Sequence, residues 1–412
     1  MMFCRNLELL AALSLLMVAC TGPEGPPGPP GTDGTAGMGT PGEPGTSGVS
    51  CWDLNSSGTC DLATEDRNQS GDCDALDCSV AAVVDTDMTV TVDSGECDDL
   101  IARVRSLDGM VIAPTATVTI NVSNGPYACD QTLVFDHPYG YRIELVGNGD
   151  GNPTSLGFTD ATGISVRSVR RLGLIDGFIL SGTDTTGTGT FDGIVAGPGA
   201  VVYVGPDVRV EGFSRRCYDV SASAYMIADG TTASQCGATG YLVNAEGRLS
   251  AAGALAEDNG GDGFQANGGS IAAANAIARV NTSRGFHATN QGVITANNAQ
   301  AHDNGSDGFR AEHHSALRVA GAQATRNGGR GFVAVWASYG DAPTSSSNNN
   351  ASYGYQANRH SSMTATDSST AGNGLAAYCA TAHSYLERTG AAAGTNCITR
   401  NALDLTGAYI DD

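Results

Sequence analysis

Residues 259–288 read NGGDGFQANGGSIAAANAIARVNTSRGFHA, and residues 304–334 read NGSDGFRAEHHSALRVAGAQATRNGGRGFVA. Each stretch holds one unit twice: an asparagine, then a Gly-aromatic pair ending five residues on, then an alanine two residues later. Working outward, the small-plus-aromatic pair recurs as Cys217-Tyr218, Gly240-Tyr241, Gly263-Phe264, Gly285-Phe286, Gly308-Phe309, Gly331-Phe332, Gly354-Tyr355 and Ala377-Tyr378, in steps of 22 or 23 residues. The asparagines are Asn259, Asn281, Asn304, Asn327, Asn350 and Asn373, and the period continues at Asn396. The alanines are Ala266, Ala288, Ala311, Ala334, Ala357 and Ala380.

Aromatic and alanine alternate with mostly polar residues, so they point inward with the period of two of a β-strand. A buried asparagine stacked at a turn satisfies both its own amide and the next coil's backbone, as asparagine ladders do. Leucine-rich repeats have a similar length but need leucines that are missing here, and helical repeats need a 3.6-residue period that is also missing. The pattern predicts an all-β fold, a right-handed parallel β-helix of 22–23-residue coils.

Composition agrees. Glycine is abundant (56 of 412 residues) and aromatics are scarce, and each glycine inside an α-helix costs about 1 kcal/mol. A chain this long exceeds one ordinary core, whereas a repeat grows by adding rungs. The net charge of −22 disfavours nucleic acid and anionic membrane surfaces as partners.

The chain begins with Arg5 and a mostly apolar run, Leu7–Ala19, ending Leu-Met-Val-Ala-Cys20. The run is too short to span a bilayer. It resembles a bacterial lipobox, with Met17 and Glu8 as departures. The resemblance implies a signal peptide over 1–19, lipidation of Cys20 and, with Thr21 following, an outer-membrane anchor that exposes the protein at the surface. The other reading is an ordinary signal peptide cleaved after Ala19. Over 20–49 glycine recurs every third residue, with one slip between Gly37 and Gly39. Only glycine fits the axis of a collagen triple helix, so a collagen-like stalk is expected, either as a homotrimer or as a single polyproline-like spacer.

Residues 50–95 form a Cys-rich segment and linker. Asp66, Asn68, Ser70, Asp74 and Asp77 alternate oxygen side chains around Gly71, as an oxygen-ligand calcium loop does. A poorer copy uses Asp53, Asn55, Ser57 and Asp61. The run resembles thrombospondin type-3 and dockerin loops, which implies structural Ca²⁺; the alternative is a polar linker closed by disulfides. Cys51, Cys60, Cys73, Cys78, Cys97, Cys129, Cys217, Cys236, Cys379 and Cys397 are an even set once Cys4 and Cys20 are set aside, and read as disulfides of an oxidising compartment. Neighbour pairing is simplest, but spacing leaves the connectivity open.

The β-helix domain is expected over 96–412. Leu100, Ile101, Val104 and Leu107 fall on one helical face with acids in the first turn, which predicts an N-terminal capping helix over the open end of the solenoid. The run Ala116–Tyr127, then His137-Pro-Tyr-Gly140, Arg142-Ile143 and Gly147-Asn148, resembles the start of β-helix domains in phage tail-fibre-like and bacterial surface proteins. That resemblance covers about residues 97–400 and implies the fold without a defined activity.

The wider pectate-lyase-like superfamily includes lyases, glycoside hydrolases and epimerases, and each of these chemistries needs its own residues. Glycoside hydrolysis needs two facing carboxylates, and lyases need a base near a held uronate. Lysine is absent, and no Gly-His-Gly or Arg-Ile-Lys occurs. Asp258, Asp262, Asp303 and Asp307 belong to Asn/Gly turns and read as structural. No catalytic set emerges. Beyond the aromatic of successive coils, Glu312, His313 and His314, then Trp336, then Asn358, Arg359 and His360, then His383 form a polar column around one tryptophan. It is the candidate ligand-binding site, for a glycan or cell-surface ligand; the alternative is a solvated turn.

Three functions follow in order of preference: a non-enzymatic adhesin or carbohydrate-binding head on a stalk, a polysaccharide lyase, hydrolase or epimerase, and a structural envelope spacer. The calcium expectation is independent of all three. EDTA should lower the Tm of the full-length protein in calorimetry and calcium should restore it; an unmoved Tm would mean that the loops hold no ion.

Overall fold

The computed structural model describes residues 59–61, 83–398 apart from 124 and 149–151, and 409–411. Over them the chain winds into a parallel β-helix. Each coil contributes one strand to each of three parallel sheets, of 14, 11 and 12 strands, visited in that order. A typical coil runs Ser270–Ala272, Ile277–Arg279 and Phe286–Thr289 before rejoining the first sheet at Val293–Thr295. Partners are one coil apart throughout, so Phe264 lies beside Phe286 and Phe286 beside Phe309.

The expected repeat is the core. Eight rings from Tyr218 to Tyr378 stack with centroids 4.6–5.3 Å apart and planes within 11° of parallel. All eight are fully buried. A second pattern ten residues upstream goes with the hydroxyl on three of the four tyrosine rings; the fourth, Tyr218, has Val208 there and donates to the Thr232 carbonyl at 3.4 Å. Tyr241, Tyr355 and Tyr378 meet Thr231, Ser345 and Ser368 at 2.9–3.2 Å. The phenylalanines 264, 286, 309 and 332 have alanines 254, 276, 299 and 322 at that position. A buried phenol keeps its O–H only where a partner exists.

The asparagines form a continuous ladder. From Asn259 to Asn373 each Nδ2 donates to the next Oδ1 at 2.9–3.0 Å, and each backbone N–H donates to that same oxygen at 3.0–3.2 Å. The glycine before the aromatic follows from this crowding. A Cβ on Gly308 would sit 2.9 Å from both Asn327 Nδ2 and the Gly331 carbonyl oxygen. Upstream, the ladder position of the preceding coil is Cys236, whose N–H donates to Asn259 Oδ1 at 3.1 Å and whose sulfur is bonded to Cys217. The expected continuation at Asn396 does not hold: Asn396 lies in a strand opposite Tyr378, so it has left the turn register.

Cys97–Cys129, Cys217–Cys236 and Cys379–Cys397 are disulfides between sequence neighbours, and Cys60 is also disulfide-bonded. Cys51, Cys73 and Cys78 lie outside the described residues. The capping helix α1 spans Cys97–Arg105 and buries Cys97, Leu100, Ile101 and Val104. The solenoid, however, starts before the boundary expected at residue 96. Met88–Val92 already pairs with Val118–Val122 in the first sheet, because Met-Thr-Val-Thr-Val has the alternation of a half-buried strand.

The ladder generates a direct test. Asn304→Ala removes the acceptor of Asn281's N–H and Nδ2 and the donor to Asn327 and to the Ala278 carbonyl. Orphaning these buried groups should cost about 2–4 kcal/mol. The solvent-facing Gln300→Ala should stay within about 0.5 kcal/mol. Urea denaturation of both variants decides it, and equal midpoints would remove the ladder's structural role.

Candidate functional site

Two groups of polar side chains stand outside the repeated core, one at the turn from the third sheet back to the first, the other on the outer face of the third sheet.

At the turn, two successive residues per coil adopt left-handed backbone. His313 and His314, Trp336 and Ala337, Arg359 and His360, and Ala382 and His383 all have φ between 51° and 64°. Glycine or asparagine is cheapest there, yet the chain places bulky cationic and aromatic residues. The structure brings most of the predicted column together. His313 stacks on Trp336 at 4.5 Å and 12°, and the Arg359 guanidinium lies 5.0 Å from the centre of the same ring. His360 and His383 stack at 5.2 Å, and His313, His314, Arg359, His360 and His383 are exposed. Asn358 is half-buried at a strand end, in register with Val335 and Thr381. Both faces of the indole are covered by its neighbours, so the column offers ring edges and N–H donors outward.

Glu312 does not belong to this column. It is 7% exposed, and its carboxylate accepts hydrogen bonds from His287 Nε2 at 2.9 Å and Arg310 Nε at 2.7 Å. Strand alternation turns it with Arg310 onto the face of the third sheet, where the Arg310 guanidinium also lies 5.8 Å from the centre of the Trp336 ring. There it closes a clasp of charges. His287 Nδ1 donates to Asp262 at 2.7 Å, Arg310 also pairs with Asp307 at 2.9 Å, and Arg330 lies 3.5 Å from Asp307. Asp262, Arg284, Asp307 and Arg330 occupy one position of four successive coils, two residues before the aromatic, so the alternation acid, base, acid, base was available in the sequence. Asp303 lies elsewhere, paired with Arg326 at 2.7 Å.

Burial opposes charge on all three central groups, but hydrogen bonding wins. The contacts with Asp262 and Glu312 hold the His287 pKa above its ordinary 6.5. Those with His287 and Arg310 hold Glu312 down to about 2, and Asp262 is lowered likewise by His287. Every ring nitrogen and carboxylate here is occupied, so the clasp supplies no free acid or base for catalysis. Among the described residues no group of three or more His, Cys, Asp or Glu is placed to hold a metal ion. Asp61 is exposed, and the other calcium-loop residues and Cys20 lie outside the described residues.

The clasp has a signed pH dependence. A raised imidazole stabilises the fold below pH 6.5 and loses that contribution as pH rises through the folded value; the lowered carboxylates contribute above their ordinary 3.8 and 4.5 and lose it as pH falls. His287→Gln should therefore cost about 2–3 kcal/mol at pH 5.5 and less at pH 9, the difference growing as the wild-type imidazole gives up its proton. Urea titrations at the two pH values measure this, and an equal loss at both would mean that His287 is neutral.

No protein-family profile matches the sequence, and no curated protein matches it. Solved structures do resemble it. The A-module of the Azotobacter vinelandii mannuronan C-5 epimerase AlgE4 is 14% identical over 66% of this chain and 82% of that one, with a TM-score of 0.44. The periplasmic alginate epimerase AlgG is 12% identical over 74% and 85%, with a TM-score of 0.43. The catalytic domain of a GH87 alpha-1,3-glucanase is 14% identical over 71% and 66%, also at 0.43.

Proposed function

We propose that the protein is a surface-displayed, non-enzymatic head that contacts carbohydrate, carried on a collagen-like stalk and tethered through a lipid on Cys20 at the outer membrane. The collagen-like stalk would gather three heads, and Ca²⁺ in the loops between stalk and head would stiffen the joint. The observation that carries the reading is the left-handed turn column. His313, Trp336 and Arg359 present N–H donors and ring edges side by side, a surface suited to sugar hydroxyls.

A polysaccharide-modifying enzyme is the second reading. What favours it is the Asp262–His287–Glu312 set, an imidazole between two carboxylates. What weighs against it is that the set is buried and fully paired, which suits a structural role.

Trp336→Asn separates fold from function. Asparagine tolerates the left-handed backbone, so relief of strain should offset the lost stacking and leave stability within about 1 kcal/mol. Binding of the full-length protein to a glycan array should fall at least tenfold. Undiminished binding would remove the column from the site, and release of reducing ends or unsaturated uronides by the wild type would establish the enzymatic reading instead.

A further inference from the structure

The second left-handed residue of each return turn forms a row of its own. On four successive coils it is His314, Ala337, His360 and His383, with φ between 57° and 64°. The N–H groups of His314, Ala337 and His360 donate to the Trp336, Arg359 and Ala382 carbonyls one rung on, at 2.9–3.1 Å. The residue that follows is serine every time, and Ser315, Ser338, Ser361 and Ser384 are buried. They make a second ladder: the N–H groups of Ser315, Ser338 and Ser361 each donate to the next serine Oγ at 3.1–3.2 Å. The backbone on both sides of each side chain in the row is thus fixed to the neighbouring rung.

Three of the chain's seven histidines stand in this row. The other four are engaged. His137 accepts the Tyr139 N–H at 3.1 Å, His287 lies between Asp262 and Glu312, His302 meets Asp303 at 2.8 Å, and His313 covers Trp336. His314, His360 and His383 are exposed, and their ring nitrogens make no hydrogen bond or ion pair among the described residues. Of the three, His360 and His383 sit on adjacent rungs, with ring centroids 5.2 Å apart and planes within 2° of parallel. Ala337 separates His314 from them.

Two imidazoles that face the same way from a fixed backbone suit a chelating pair. With metal–nitrogen bonds of about 2.0–2.1 Å, a tetrahedral ion holds two nitrogens about 3.3 Å apart. Exposed rings reach that separation by turning about χ2, a soft torsion in histidine, while the backbone stays in place. Imidazole nitrogen selects borderline divalent transition metals, Cu²⁺ ahead of Zn²⁺, and has little to offer Ca²⁺ or Mg²⁺, which take oxygen. Arg359, the neighbouring cation in sequence, is drawn onto the Trp336 ring. The net charge of −22 favours cations over the molecule as a whole.

We propose that His360 and His383 form a two-nitrogen surface site for Cu²⁺ or Zn²⁺, with water filling the remaining positions. Closed structural zinc sites use four protein ligands, and a ligating histidine is usually held by a carboxylate or carbonyl on its other nitrogen. Neither condition is met among the described residues, so the site is open and its metal exchanges. It uses neither His313 nor Trp336, and therefore goes beyond the carbohydrate-contacting reading without depending on it.

The test is calorimetric titration of the full-length protein with Cu²⁺, in excess Ca²⁺ so that oxygen-ligand sites are already filled. One copper per chain is expected, with splitting from two nitrogens in its EPR spectrum, and Zn²⁺ at higher concentration should displace it. His360→Asn and His383→Asn should each weaken binding at least tenfold. Asparagine tolerates the left-handed backbone, and an unchanged Tm checks that folding is intact. His314→Asn should leave the affinity as it is. Ala337→His closes the gap in the row and should raise the copper bound from one ion to two. Copper held through oxygen alone, equal affinity in the wild type and the two asparagine variants at 360 and 383, a loss as large in His314→Asn, or a single copper in Ala337→His would each overturn the site.

Discussion

Everything in this molecule depends on the narrowness of its interior. A coil encloses room for one ring, one aliphatic side chain and a lining of alanines, and whatever stands inside one rung must fit beneath the same thing in the next. At ~4.8 Å per rung, like stacks on like, which is why eight aromatic residues lie nearly parallel. Exceptions are mended locally. Gly340 interrupts the inward aliphatic row, and the Met363 side chain reaches into the space, its Cε 2.7 Å from where a Cβ would stand. Flexible methionine fills gaps of that shape. The matching of Tyr with Thr or Ser, and of Phe with Ala, ten residues apart is the same constraint expressed in hydrogen bonding.

With the interior fixed, variation moves outward. The turn column and the charge clasp each occupy positions that the core leaves free, yet each inherits its spacing from the core. The clasp alternates in sign because its members sit one rung apart, close enough for each charge to be paired by the next. The turn column holds strained backbone because the return from the third sheet to the first is tight whatever residue makes it. Side chains that would be scattered on an ordinary globular surface are here arranged in rows.

Much of this was legible in the sequence, and the parts that were not share a cause. The aromatic, asparagine and alanine columns were readable because an inward position tolerates few residues and so repeats. Outer positions repeat in place but not in identity. The row Tyr225, Arg248, Ser270, Val293 lies six or seven residues after each aromatic, and nothing in its composition announces it. Spacing located Glu312 beside His313, but only strand alternation sends its carboxylate to His287 and Arg310. Spacing likewise put Trp336 between His313 and Arg359 without saying that they would cover both its faces. The first rung escaped because a five-residue alternation, Met88–Val92, is too short to stand out before the cap helix interrupts it.

The disulfides acquire a meaning from where they fall along the stack. Cys97–Cys129 fastens the cap helix to the first rungs, Cys217–Cys236 takes the place of the asparagine that would begin the ladder, and Cys379–Cys397 joins the last aromatic rung to the strand beyond it. The run between Cys236 and Cys379 carries the full ladder and no cross-link. A solenoid contacts only its neighbours, so it opens from its ends or from breaks in its repeat, as a zipper does. The covalent bonds stand at those places, while the uniform middle relies on many identical weak bonds. Reduction would thus act less by weakening the shaft everywhere than by choosing where it begins to fray.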